Sequence, residues 1–412
     1  MYGSKDRKVN RNVILAMGMV IQLCAGIIYM WSVFKSPVSE YLSWDSGSAA
    51  LVTSVMMVAF VVGMILGGKI MISQGPRKTA VLGSIMMSLG IFATAFVTSG
   101  CPSLLFLTYA VIGGLGVGVV YTCTVANVQK WFFDRRGFAT GMMVGAFGFS
   151  TVIFAPVGSY LLGEVGVPMT FEIFGILFLL VCVVCSLFLV SPPEDYTVSK
   201  NGVRVNVAKA QKQYTAKEML RTRSFYLIFL SLFFVLPAFF ILNPLLKPLG
   251  MERGLSDAMA TFGVMIVGAS SAAGRLLITW LSDKTGRLRA LFLIVALTAV
   301  GIIVAIFAQD VLFLVCIAII GLAFGGASGV YATLTADHFG TQNMGVNYGI
   351  VSLALGGSSL TFTFLNNYLS GSGDYTLSFL IAAATCVVSF VLILLLRREK
   401  GDQPSGDTAT RE

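Results

Sequence analysis

Charge is scarce in this chain. Of its 412 residues only 11% are Asp, Glu, Lys or Arg, against roughly a quarter in an ordinary soluble domain, and 56% are hydrophobic. Together with a mean hydropathy of +0.86, that excludes a soluble globular protein. Acids are the rarer sign, and none lies deep inside a long apolar segment; Glu172 stands only at the edge of one, where a solvated end is expected. A drug or cation exporter, which needs a buried carboxylate, does not fit. Histidine occurs once, at His338, at the end of an apolar run, where capping suits it better than a proton relay. The seven cysteines are odd in number, lie mostly within apolar runs and show no metal-ligand spacing, so they read as small packing residues rather than a disulfide framework. Gly113, Gly114, Gly116 and Gly118 follow no strand and precede no Gly-Lys-Ser/Thr, which excludes a nucleotide loop. With no nucleophile–base pair and no cofactor motif, neither an enzyme nor a cofactor is expected. A cleavable signal pattern is also absent, so the first apolar run is expected to direct insertion.

What the chain does have is long apolar runs of about 20 residues, the length that crosses ~30 Å of hydrocarbon. They fall near 13–34, 49–71, 80–98, 104–126, 138–162, 170–190, 225–246, 258–281, 290–308, 311–334, 346–369 and 375–396. They are continuous rather than alternating, which excludes an outer-membrane barrel. The net charge of +9 is a matter of topology and not a nucleic-acid surface. Of the 28 Lys and Arg, all but Lys35, Lys247, Arg253 and Arg275 fall at the termini, in the even-numbered loops or at the span ends flanking them. Cytoplasmic N- and C-termini follow from that bias. Residues 191–223 break the hydropathy with Pro192, Pro193, Glu194, Asp195 and seven Lys or Arg. The expected organisation is a six-helix bundle over 1–190, a cytoplasmic linker over 191–223 with a short amphipathic helix near Val207–Leu220, a second six-helix bundle over 224–396, and a cytoplasmic tail over 397–412.

Arg275 is the one charge well inside a span, in the run Gly268-Ala269-Ser270-Ser271-Ala272-Ala273-Gly274-Arg275. An arginine keeps its proton, and holding it in hydrocarbon costs a few kcal/mol, so it is expected to face a wet cavity and await an anion. The plainer reading has it snorkel towards Asp283, eight residues or ~12 Å along the helix. Gly268, Ser271 and Arg275 share a helix face, and small residues there leave room for a ligand. Tyr29, Tyr121 and Tyr331 offer a directed hydroxyl on an apolar ring, which suits a short organic acid. Trp31 and Phe34 could wall such a cavity, although anchoring at the interface explains Trp31 almost as well. Asn243, before Pro244, reads mainly as satisfying backbone freed by the proline.

The two halves look alike. At an offset of 208, Gly137 pairs with Gly345, Gly141 with Gly349, Ala146 with Ala354 and Gly148 with Gly356. The loop Asp283-Lys284-Thr285-Gly286-Arg287-Leu288-Arg289 resembles the Asp-Arg-x-Gly-Arg-Arg loop of the major facilitator superfamily. Its counterpart, Ile72-Ser73-Gln74-Gly75-Pro76-Arg77-Lys78, keeps the glycine and basic pair but lacks the acid. The stretch Trp131-Phe132-Phe133-Asp134-Arg135-Arg136-Gly137-Phe138-Ala139-Thr140-Gly141, with Tyr29-Met30-Trp31-Ser32-Val33-Phe34 and Asn347-Tyr348-Gly349, resembles the oxalate:formate antiporter and monocarboxylate carrier branch.

That resemblance implies an all-α membrane protein: twelve transmembrane helices in two pseudo-symmetric six-helix bundles. It implies that Arg275 contacts a substrate carboxylate. Oxalate carriers place a lysine in an Ala-Lys-Gly context in span eleven, where this chain reads Ala354-Leu355-Gly356. A dianion bound by one buried cation would keep an uncompensated charge, which costs several kcal/mol. The expectation is therefore a secondary transporter of small monocarboxylates of the lactate, pyruvate or formate kind, proton-coupled and working by alternating access. An anion exchanger of the oxalate:formate type is the alternative, and a non-transporting metabolite sensor a more distant one. Expected substrate-binding residues are Arg275, Tyr331, Tyr121, Tyr29 and Ser271; expected gating residues are Asp283, Arg287, Arg135 and Arg136. Expected partners are a small organic anion, a proton or counter-anion, and the lipid bilayer. A monomer in a bacterial plasma (inner) membrane, with no nucleic acid, completes the reading.

Overall fold

The computed structural model describes residues 10–402 apart from Asp45, 194–195, 201–202, 207–211, 243–245 and 370–374. The first half comprises α1 (Arg11–Ala25), running through a 3₁₀ turn (Gly26–Met30) into α2 (Trp31–Tyr41), then α3 (Ser46–Ala93), a π-helical stretch (Phe106–Gly113) leading into α4 (Gly114–Trp131), α5 (Arg136–Glu164) and α6 (Gly166–Ser186). A small antiparallel hairpin, β1 (Thr197–Lys200) with β2 (Val203–Asn206), and a single turn, α7 (Ala216–Met219), lie between the halves. The second half comprises α8 (Arg223–Val235), α9 (Pro237–Leu242), α10 (Leu246–Glu252), α11 (Asp257–Thr285), α12 (Arg287–Phe307), α13 (Asp310–Phe339), α14 (Met344–Val351), α15 (Leu353–Leu369) and α16 (Thr376–Asp402).

Among the described residues, 11 helices are long and apolar enough to cross a membrane, and one of them, Leu51–Phe96, has 46 residues. At 1.5 Å per residue it would be more than twice the hydrocarbon thickness. It is two crossings. Gly75 has φ +78°, where a side chain is disfavoured, and Pro76 restarts the helix at a position that needs no amide donor. Gly67 and Gly83, either side of this break, both lie against Val119 of α4, so the chain doubles back. The twelve expected crossings are thereby present. Leu180, Phe307, Phe364 and Val387 are exposed on the outside, as a lipid-facing surface requires.

The linker differs from expectation. The hairpin was not foreseen, and the described helix near Val207–Leu220 is only Ala216–Met219. Thr215 caps it in a reciprocal box with Glu218, and the Thr215 amide and hydroxyl hold that carboxyl below its ordinary range. Just upstream, the linker keys into the α13–α14 junction. The Tyr214 amide donates to the Phe339 carbonyl (3.0 Å), and its own carbonyl accepts from Asn343 (2.9 Å) and Asn347 (3.0 Å). The end of the bundle carrying these contacts is called the linker face below.

The halves meet along two glycine-lined seams. In one, α5 lies against α11: a methyl on Gly137 would sit 2.5 Å from the Thr279 carbonyl, and one on Gly145 would sit 2.6 Å from Leu276. In the other, α3 lies against α14: a methyl on Gly345 would come within 2.6 Å of Gly68, and one on Gly349 within 2.9 Å of Ile65. The 208-residue repeat thus has a spatial meaning, because its first two glycine pairs occupy equivalent seams.

Candidate substrate site

Arg275 leaves α11 and crosses the seam into the first half. Its side chain is only 4% exposed. One terminal nitrogen, Nη2, donates to the Tyr29 hydroxyl at 3.0 Å. The guanidinium carbon stands 5.2 Å from the centre of the Tyr29 ring and 6.0 Å from that of Phe147. Gly148 makes room for it; a methyl there would lie 2.5 Å from Nη1. The Nε donor is buried with no partner among the described residues. Asp283 does not neutralise this cation. Its oxygens accept from the amides of Gly137 (2.9 Å) and Phe138 (2.7 Å) and pair with Arg287 (2.7 Å). The snorkelling alternative is therefore not what the chain adopts.

Two rings of the first half, Tyr29 and Phe147, lie against the guanidinium, and Tyr121 and Phe60 back them. Tyr29 and Phe147 meet edge to face at 5.3 Å, Tyr121 and Phe147 at 5.0 Å, Phe60 and Tyr121 at 5.3 Å, and Phe60 stacks on Phe147 at 6.0 Å. The Tyr121 hydroxyl lies beside that of Tyr348. Tyr348 in turn donates to the Ser328 carbonyl at 3.1 Å. The result is one buried cation with a spare donor, phenol hydroxyls at hand and apolar ring faces. Such a set can hold one carboxylate and a short apolar body.

The expected site residues divide. Arg275, Tyr29 and Tyr121 come together. Tyr331 does not join them: its hydroxyl donates to Ser231 at 2.9 Å, inside the second half, where Ser389 also binds the Ser231 carbonyl. Ser271 sits one turn before Arg275, with its backbone pressed against Gly325 of α13. Trp31 and Phe34 are interior residues. Trp31 donates to the Ala49 carbonyl (2.8 Å), and Phe34 packs on Tyr109, Phe171 and Phe174. His338 meets the carbonyl of Leu334 one turn back on its own helix (3.1 Å). Asn243 lies outside the described residues. Phe60, Phe147 and Tyr348 were not singled out from sequence, although Tyr348 lies within a motif that was.

The expected gating residues divide too. At the linker face Asp283 caps the start of α5 from across the seam and holds Arg287. Arg287 also pairs with Asp337 (2.8 Å), which takes Arg136 from the other half (2.8 Å). Asp337 thus completes a network that sequence reasoning left incomplete. Arg135 is not part of it. Its side chain is 58% exposed and pairs with Asp134 of its own half, which Arg11 also grips at 2.8 Å. Arg135 stands at the cap position with non-helical dihedrals (φ −148°, ψ 62°), whereas Arg136 opens α5 and faces the seam.

The sequence profile of the Major Facilitator Superfamily matches residues 14–363 and again 228–412. The oxalate:formate antiporter of Oxalobacter formigenes is 25% identical over 389 residues, which is 93% of this chain and 90% of that protein. Monocarboxylate transporter 13 of Bos taurus is 25% identical over 393 residues, covering 93% and 88%. The Escherichia coli fucose:proton symporter FucP superposes with a TM-score of 0.72 over 93% of this chain and 98% of that one, at 14% identity, a likeness of fold alone.

Proposed function

The chain belongs to the Major Facilitator Superfamily, and from that premise we propose that it carries small monocarboxylates, of the lactate, pyruvate or formate kind, across the membrane by alternating access. One observation carries this reading: Arg275 is buried, has neither an acid nor a partner at Nε among the described residues, and is walled by rings from the opposite half. A substrate carboxylate would complete it. Residues 1–190 and 224–396 are the two moving halves, with 191–223 as linker and 397–412 as tail. Tyr29 and Tyr121 orient the anion, joined by Tyr348, while Ser271 and Tyr331 shape the second half behind it. Leu355 stands where oxalate carriers bring a second cation, so a monoanion is matched and a dianion is not. The relatives named for oxalate and formate exchange and for monocarboxylate transport support the substrate class.

Drawing an anion into a negative-inside cell costs about 2.3 kcal/mol per charge per 100 mV. A co-transported proton removes that cost. None of the groups described around Arg275 is a carboxylate, so the substrate carboxyl and Arg275 themselves form the coupled site. The test is uptake of labelled L-lactate into proteoliposomes, with and without an inward proton gradient, while pyruvate, formate, acetate and oxalate compete. Gradient-driven uptake blocked by the monoacids and not by oxalate is the expected result. Strong oxalate competition, with uptake only into preloaded vesicles, would replace the proposal with anion exchange.

The linker face is assigned to the cytoplasm of a bacterial inner membrane, following the distribution of Lys and Arg. Cys101, between the second arm of α3 and the π-helical stretch, is the one exposed thiol and lies at the opposite face. An impermeant maleimide added to intact spheroplasts is expected to label the wild-type chain and not a Cys101→Ser variant. Labelling only after lysis would invert the topology.

A further inference from the structure

The first span changes winding where it meets the site. α1 ends at Ala25, and Gly26–Met30 is a 3₁₀ turn. Three residues per turn put Gly26 and Tyr29 on one side of the helix. Gly26 can therefore lie against the Phe147 carbonyl and Ser150, while Tyr29 lands on the Phe147 ring with its hydroxyl at Arg275. In α-helical winding Tyr29 would be turned about 60° away from that side. Five residues is long for a 3₁₀ segment, whose hydrogen bonds are poorly aligned. Something outside the segment must favour it.

Tyr109 is placed to do so. It is fully buried, and its hydroxyl donates to the Ile27 carbonyl, in the middle of the turn, at 3.2 Å. Its ring packs on Trp31 at 5.0 Å and on Phe171 at 5.9 Å. Tyr109 itself sits on the π-helical stretch Phe106–Gly113, another departure from α winding. We propose that Tyr109 is a positioning residue for substrate binding: its hydroxyl holds the 3₁₀ turn of the first span in the form that presents Tyr29 to Arg275. The inference rests on the reading of Arg275 and Tyr29 as the carboxylate site.

The test is a double-substitution cycle with Tyr109→Phe and Tyr29→Phe, each in the full chain, using whichever acid of the competition panel is taken up best. Tyr29→Phe is expected to raise KM about tenfold and Tyr109→Phe about fivefold, the latter with Vmax within about twofold of wild type. The double variant is expected to match Tyr29→Phe alone, because Tyr109 acts through Tyr29. A Tyr109 that merely supports the fold would lower the melting temperature and leave KM unchanged, or raise KM by the same factor in both backgrounds. Either outcome overturns the proposal, as does an unchanged KM for Tyr29→Phe. Arg275→Gln, run alongside, separates the two levels: normal transport by that variant would refute the site itself and this inference with it.

Discussion

Arg275→Gln is expected to lower the initial rate of uptake about a hundredfold, and also to leave the protein more stable than wild type. Removing one partner of a buried, charge-assisted contact costs roughly 2–5 kcal/mol of binding, and every 1.4 kcal/mol is a factor of ten. The gain in stability has the same origin. Without substrate, the guanidinium is only 4% exposed beside rings and a phenol, with no carboxylate among the described residues to offset it. Glutamine is neutral and two bonds shorter, so the burial penalty falls while the aliphatic stem keeps its packing. Arg275→Lys keeps the charge and loses the fork of donors, and it is expected to retain a few per cent of the rate. Uptake by purified, reconstituted variants and their melting in detergent, with and without the transported acid, measure both effects. A wild-type protein that the acid stabilises and a glutamine variant that it does not would tie the charge to binding. Wild-type uptake by the glutamine variant would eliminate Arg275 as the anion site.

Asp283→Asn is expected to slow transport about thirtyfold by a different route, through the balance between closed and open linker faces. Asp283 reaches across the seam to two amides at the start of α5, where the helix dipole favours a negative charge, and also anchors Arg287. An asparagine can still accept one amide but loses the charge and leaves Arg287 with Asp337 as its remaining ion pair, beside the Ser282 hydroxyl. Breaking such a half-buried network costs on the order of 3 kcal/mol. That loss falls on the closed arrangement, so the population shifts towards one in which the seam is parted. Spin labels at Arg135 and Lys284, both exposed and on opposite sides of the seam, should report a longer distance in the variant. An unchanged distance together with a normal rate would show that Asp283 is not a latch. Asp337→Asn tests the second strand of the network, and the same direction is expected because Arg136 and Arg287 both converge on it.

The spans were legible because continuous apolar runs have one physical use at that length, and Arg275 was legible because it is the one charge well inside a span. The walls of the site were not. Phe60 and Phe147 carry no signal of their own among the chain's 31 phenylalanines. Tyr331 misled because near-symmetry was read as symmetry: it lies 210 residues after Tyr121, whereas the repeat offset is 208. Two residues turn a helix by about 200°, so Tyr331 points to the other side, towards Ser231. The linker hairpin escaped notice because its four-residue strands are embedded in a charged segment with no alternation long enough to read. Asp337 was overlooked because an acid at a span end is ordinarily solvated; only the packing of α5 and of the start of α12 against α13 gives it two arginines.

α14 carries the seam, the binding cluster and the linker contact on successive residues. Gly345 and Gly349 lie on α3, Asn347 holds the Tyr214 carbonyl, and Tyr348 stands beside Tyr121. No position in this stretch is free to change for one purpose alone. A substitution that reshapes the pocket at Tyr348 also disturbs how tightly the halves close and how the linker seats. New substrate preferences should therefore arise first on the first-half wall, at Phe60, whose ring meets only Tyr121 and Phe147 of its own half among the described ring contacts. Selectivity in such a carrier has more room to evolve on one side of its pocket than on the other.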